Sequence, residues 1–150
     1  MVAAVAARRR PPRILLVEDD AADQELTRRA LEEVSEGAEL AVAWDGEEAL
    51  DYLFRRGRFE AAARPDLVLL DLNLPRSTGR EVLAALKADA ALRETPVVVL
   101  TTSARPRDID EAYALGCNSY VVKPLDARQF FRSFHAIYRY WFRTVALPEH

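Results

Sequence analysis

Apolar and polar positions along this chain fall into a repeating order. Three short runs are apolar throughout: ILLV at 14–17, LVLL at 67–70 and VVVL at 97–100. A strand covered by helices on both faces has no wet side, so it lacks the alternation of a half-exposed strand. Adding two less uniform runs, strands are predicted at Arg13–Val17, Leu40–Trp44, Leu67–Leu70, Val97–Leu100 and Ser119–Val122. Helical spacing fills the gaps, with starts near Ala21, Gly46, Gly79, Pro106 and Ala127. Asp45 with Glu48, Thr78 with Glu81 and Asp126 with Gln129 are spaced as capping boxes that satisfy first-turn amides. Asp20 suits the cap of the first helix, Pro106 a first-turn position and Gly116 a helix stop.

Five βα units in succession predict an α/β fold, a doubly wound, five-stranded parallel sheet with right-handed crossovers. In such folds ligands bind beyond the carboxyl ends of the strands, where the strand order reverses. The 150 residues suit a single domain at 13–142, between a flexible tail at 1–12 and a short tail at 143–150. The basic cluster of the first tail follows its apolar run, the reverse of a secretory signal. No run reaches 18 apolar residues, so no membrane span is predicted. Cys117 is the sole cysteine and has no internal disulfide partner, which favours a cytoplasmic location. The net charge of −3 and the shortness of the basic clusters (Arg8–Arg10; Arg55, Arg56 and Arg58) argue against DNA binding. Those last three arginines are expected in a solvated loop.

The strand ends carry the chemistry. Glu18 and Asp19 follow the first strand, Asp71 the third, Thr101 the fourth and Lys123 the fifth. Alone, each has a plain explanation: a cap and helix-dipole partner for Glu18–Asp20, an Asx-turn for Asp71, a β-branched strand end for Thr101, a solvated lysine for Lys123. Together they place three carboxylates, a hydroxyl and an ammonium on one rim. Clustered carboxylates repel, so they call for protons or a cation. Oxygen ligands suit a hard divalent ion such as Mg²⁺. A lysine and a hydroxyl suit phosphoryl oxygens, and a carboxylate such as Asp71 can act as the nucleophile that forms an acyl phosphate.

Four motifs, VEDD (17–20), DLNLP (71–75), PVVVLTT (96–102) and YVVKP (120–124), resemble those of the receiver domains of two-component response regulators. The resemblance spans about Arg13 to Tyr140. It implies the flavodoxin-like (βα)5 receiver fold with strand order 2-1-3-4-5, and Asp71 as phosphoacceptor. It also implies Mg²⁺ or Mn²⁺ held by Glu18, Asp19, Asp71 and the backbone carbonyl of Asn73. Thr101 and Lys123 would contact the phosphoryl oxygens, with Thr101 and Tyr120 as the switch pair. Lys123–Pro124 would be a cis peptide. Asn73 and Ser103 occupy the positions that tune dephosphorylation, and neither is an obvious base, so a phosphoryl lifetime that is not especially short is expected. The implied partner is a sensor histidine kinase. DLNLPRSTGREVL, VVVLTTS and YWFRTVALP are also similar to stand-alone receivers paired with bacterial phytochrome kinases, which makes a bacteriophytochrome the implied kinase. Three positions depart from the common pattern: Glu18 stands for the more usual Asp, Thr102 for a smaller residue and Leu125 for an aromatic.

The last helix is expected to bury Phe130, Phe134, Ile137 and Trp141. That leaves aromatics on a second face, and a homodimer through this helix and tail is expected, with Phe131, Tyr138, Trp141 and Phe142 at its interface. His135 has no Cys or Asp at ligand spacing and is read as a packed or surface histidine. The alternative is a receiver-like docking or dimerisation module that never takes phosphate; loss of the acceptor, the metal acid or the lysine would mark it, and all three are present. A flavodoxin-like nucleotide binder needs a Gly- or Ser/Thr-rich phosphate loop where this chain has VEDDAAD. A phosphatase with a nucleophilic Asp usually has a second acid at the place of Asn73.

Overall fold

Five parallel strands form one sheet in the computed structural model, which describes residues 10–76 and 78–150. The elements alternate as β1 (Arg13–Val17), α1 (Ala21–Val34), β2 (Glu39–Ala43), α2 (Gly46–Leu53), β3 (Leu67–Leu70), α3 (Gly79–Ala88), β4 (Val97–Thr101), α4 (Pro106–Ala114), β5 (Ser119–Val122) and α5 (Ala127–Arg139). The sheet order is β2-β1-β3-β4-β5, so the chain reverses direction of travel between β1 and β3. The carboxyl ends of these two strands therefore flank the expected crevice.

The all-apolar runs are explained by two cores. Leu15, Val17, Val68, Leu70, Val97 and Val99 face α2, α3 and α4, packing with Ala49, Leu53, Val82, Leu83, Leu86 and Ala112. Their sequence neighbours Ile14, Leu16, Leu67, Leu69 and Val98 face α1 and α5, packing with Ala30, Leu31, Phe134 and Tyr138. Successive strand side chains point to opposite faces, so a sheet with two buried faces needs an apolar residue at every position.

The helix starts follow the capping signals. Asp20 accepts from the N–H groups of Ala22 and Asp23, Asp45 from Glu48 and Thr78 from Glu81. Asp126 accepts from Arg128 rather than from Gln129. Gly116, at φ +106°, ends α4 in a conformation that side-chain-bearing residues rarely adopt.

Several expectations need correction. The β2 pairing starts one residue earlier than predicted, because Glu39 N–H bonds to Pro12 O at 2.8 Å; Trp44 then lies beyond the strand, half exposed. Of the expected tail at 1–12, residues 1–9 lie outside the described residues. Arg10 is not loose: it grips the buried Asp66 carboxylate through two bonds of 2.8 and 2.9 Å. Arg55, Arg56 and Arg58 are exposed, as expected of a solvated loop, with Arg56 lying over the ring of Phe54 and Arg58 over that of Phe59. On α5 the inward stripe is Phe130, Phe134 and Tyr138, an i, i+4, i+8 line, while Ile137 and Trp141 are only half buried. Tyr138 is thus a core residue, with Arg143 stacked over its ring, and is not available to a partner. Past α5 the helix widens into a π-turn at Tyr140–Thr144, and Tyr140 is the exposed aromatic there.

Candidate functional site

Every strand-end residue singled out in the sequence lies on one rim. Asp71 follows β3, its N–H continuing the sheet to Val17 O at 3.1 Å. Its Oδ1 accepts from the Thr101 hydroxyl at 3.0 Å and from the N–H of Asn73 at 3.0 Å; its Oδ2 accepts from Lys123 Nζ at 3.2 Å. Lys123 follows β5, and its N–H bonds to Thr101 O at 2.7 Å, which fixes where its stem begins. The ammonium reaches across the rim to Glu18 Oε1 and to Asp23 Oδ2, the latter at 2.9 Å. Glu18 in turn is held at its other oxygen by Asp20 N–H (3.1 Å) and at its carbonyl by the Gln24 amide (2.7 Å).

Burial sets the electrostatics. Glu18 is 2% exposed, Asp71 9% and Lys123 9%, whereas Asp19 is open to solvent. Burial pushes the Glu18 carboxyl up to about 7, with Asp71 adding to the rise and Lys123 opposing it. For Lys123, burial favours the neutral amine, but the carboxylates of Glu18, Asp23 and Asp71 outweigh it and hold the ammonium above its ordinary range. One oxygen each from Glu18, Asp19 and Asp71 lie within 4.8 Å of one another, the only such acidic, His or Cys trio among the described residues. An all-oxygen set with one solvent-facing member fits a hard divalent ion that keeps several waters. His135 belongs to no such group; it sits beside Phe131 and Glu33.

The Lys123–Pro124 peptide is trans, correcting the cis bond that the resemblance implied. Trans is the lower state of an X–Pro bond by about 0.5–1 kcal/mol. From it the Lys123 ammonium reaches Glu18, Asp23 and Asp71.

A second network leads away from the rim. The Tyr120 hydroxyl donates to Ser103 O at 2.8 Å, and the Ser103 hydroxyl donates to Asp108. Arg80, on the first turn of α3, bridges Asp108 at 2.6 Å and Glu111 at 2.9 Å on α4. The loop after β4, which follows Thr101, is thereby tied to α3, α4 and β5 at once. On the opposite side Arg76 sits at φ +54°, pairing with Asp45 and Glu47 at the start of α2. Asp23, Arg76, Arg80 and Asp108 were not singled out from the sequence. For Asp23 the available signal was an acid on the first turn of the helix that leaves the rim.

This geometry agrees with the comparison with known proteins. The response regulator receiver domain family matches residues 14–135. The chain belongs to this family. The receiver is 42% identical over 132 residues to the response regulator Rcp1 of a Synechocystis strain, covering 88% of this chain and 90% of that protein. Among solved structures it is similar to the phosphorylated cyanobacterial phytochrome response regulator RcpA, at 43% identity and TM-score 0.90, covering 93% of this chain and 99% of that one. The Mn²⁺-bound form of Rcp1 follows at 42% identity and TM-score 0.88, covering 93% and 100%. Strand order and helix placement are those the resemblance implied. No helix among the described residues is long and apolar enough to cross a membrane.

Proposed function

We propose that this receiver accepts a phosphoryl group on Asp71 from a phosphohistidine of a sensor kinase, and that the modified state switches a protein-interaction surface in phytochrome light signalling. The observation that carries the reading is the sharing of Asp71: Thr101 and Asn73 N–H hold one of its oxygens while Lys123 holds the other. Those donors fix the carboxylate for in-line attack on phosphorus, where positioning and charge do most of the work. An Asp71 oxygen forms the new P–O bond as the P–N bond to the imidazole breaks, and the imidazole leaves with the electron pair. Glu18, Asp19, Asp71 and the Asn73 carbonyl would hold Mg²⁺ or Mn²⁺, which supplies positive charge against the phosphoryl oxygens. Lys123 then hydrogen-bonds the phosphoryl group instead of the bare carboxylate, and Thr101 follows it. Withdrawal of Thr101 frees the space into which Tyr120 turns, releasing its bond to Ser103. Slow hydrolysis, tuned at Asn73 and Ser103, resets the switch.

The phytochrome assignment is supported by the likeness to the phytochrome response regulator RcpA, and the cytoplasm is the compartment such a kinase would require. The test is intact-mass measurement after incubation with Mg²⁺ and a small phosphodonor. Wild type should gain one phosphoryl group; Asp71→Asn and chelator-treated wild type should gain none. Absence of an adduct, under conditions that label another receiver, would leave a docking module.

The receiver is also proposed to form a homodimer through α5 and the segment after it. Phe131, Trp141 and Phe142 are half buried and Tyr140 half exposed, an aromatic surface of the kind that marks interfaces. Sedimentation velocity should give a dimer, and Trp141→Ala should weaken it by about tenfold, roughly 1.4 kcal/mol. A monomer at high micromolar concentration would end this reading.

A further inference from the structure

Lys123 presents three N–H donors, and three carboxylates take them: Glu18, Asp23 at 2.9 Å and Asp71 at 3.2 Å. Two of those partners have other duties. Glu18 and Asp71 belong to the oxygen trio that fits a divalent ion, and Asp71 is also the group to be modified. Asp23 has neither role. It is the one partner of the ammonium that can keep its bond unchanged throughout a phosphorylation cycle.

The backbone of Asp23 is fixed independently of the rim. Its N–H bonds to the Asp20 cap at 3.1 Å, and its carbonyl accepts the Thr27 hydroxyl at 2.9 Å from the next turn of α1. Its side chain is 31% exposed against 7% for Lys123, so the ammonium is gripped from its solvent side by a group on a rigid helix. Glu18 holds the same nitrogen from the buried side. The remaining N–H is the one aimed at Asp71 Oδ2.

We propose that Asp23 is a positioning residue for phosphoryl acceptance, anchoring the Lys123 ammonium so that its third donor faces the oxygen and, after transfer, the phosphoryl group of Asp71. This rests on the reading of Asp71 as phosphoacceptor. A lysine stem has four rotatable bonds, and an ammonium released on one side spreads over several rotamers. A misplacement near 1 Å at a reacting centre can cost as much as a hundredfold in rate. An acid on a first helical turn also favours the helix dipole, which affects stability but not the rate of acceptance.

The experiment compares wild type, Asp23→Asn and Asp23→Glu for the rate of phosphorylation by a small phosphodonor at saturating Mg²⁺. Mn²⁺ affinity is measured by calorimetry and stability by urea unfolding. Asn keeps the size and loses the charge; Glu keeps the charge. Asp23→Asn should slow acceptance five- to tenfold while Mn²⁺ affinity stays within twofold, and Asp23→Glu should recover most of the rate. An unchanged rate in Asp23→Asn, or a loss of Mn²⁺ affinity equal to the loss of rate, would overturn the proposal. So would a slow Asp23→Glu variant that unfolds at the same urea concentration as wild type. Failure of wild type itself to take phosphate would instead refute the function on which the proposal rests.

Discussion

Gly79→Ala should destabilise the receiver by about 3 kcal/mol, lowering the melting temperature by roughly 10 °C, and should slow phosphoryl acceptance as well. Gly79 opens α3, and its N–H bonds to Leu72 O at 3.0 Å, so the helix start is seated directly on the chain leaving β3. A Cβ at this position would lie 2.2 Å from the carbonyl oxygen of Asp71 and 2.6 Å from the Cα of Leu72. Both are backbone atoms, so no rotamer change relieves the clash. Either α3 retreats from the sheet, opening the packing of Val82, Leu83 and Leu86, or the backbone of Asp71 shifts and misplaces its carboxylate. Helix propensity alone predicts the opposite sign, since alanine outranks glycine by up to about 1 kcal/mol. Urea unfolding of the variant decides between the two, with Thr78→Ala as a cap control expected to cost about 1 kcal/mol. An alanine variant as stable as wild type would mean that α3 can move freely against β3.

The elements were legible because their signals are local. Apolar runs name strands buried on both faces, and Asp20, Asp45, Thr78 and Asp126 name helix starts within a residue. The rim residues were legible because the fold class says where strands end, and the chemistry then needs only their identities. What stayed hidden depends on distances across the sheet. Asp23 reads as an ordinary first-turn acid until Lys123, a hundred positions later, is seen to reach it. Tyr138 reads as a second-face aromatic when Phe130, Phe134, Ile137 and Trp141 form the buried stripe; α1 instead packs on the i, i+4 line. Arg10 read as part of a basic tail, yet Asp66 sits buried at the foot of β3 and needs a cation. In each case contacts with residues far along the chain decided the outcome, and no local spacing encodes them.

Lys123→Ala should be the other costly change, because it removes the common partner of three carboxylates. Glu18 and Asp71 are almost fully buried, and among the described residues Lys123 is the only cation paired with either. Removing one member of a buried ion pair typically costs about 3–5 kcal/mol, since the remaining charge stays out of water without compensation. The loss should depend on pH in a definite direction. Glu18 already titrates near 7 with the ammonium present, and the ammonium lowers that value, so the variant carboxyl should titrate higher still. A raised folded-state pKa means that the protonated form is the comfortable one. Stability tied to it is complete below the unfolded value, near 4.5, and falls as pH rises through the folded value. The deficit against wild type should therefore be larger at pH 8 than at pH 6. Millimolar Mg²⁺ should shrink it at pH 8, because carboxylates relieved of the ammonium bind the cation more tightly than those of wild type, so mass action stabilises the variant by more. Urea unfolding of both proteins at the two pH values, with and without Mg²⁺, checks all three expectations. A deficit under 1 kcal/mol, indifferent to pH and to Mg²⁺, would show that the carboxylates are solvated well enough to stand alone, and that Lys123 is not what holds the rim together.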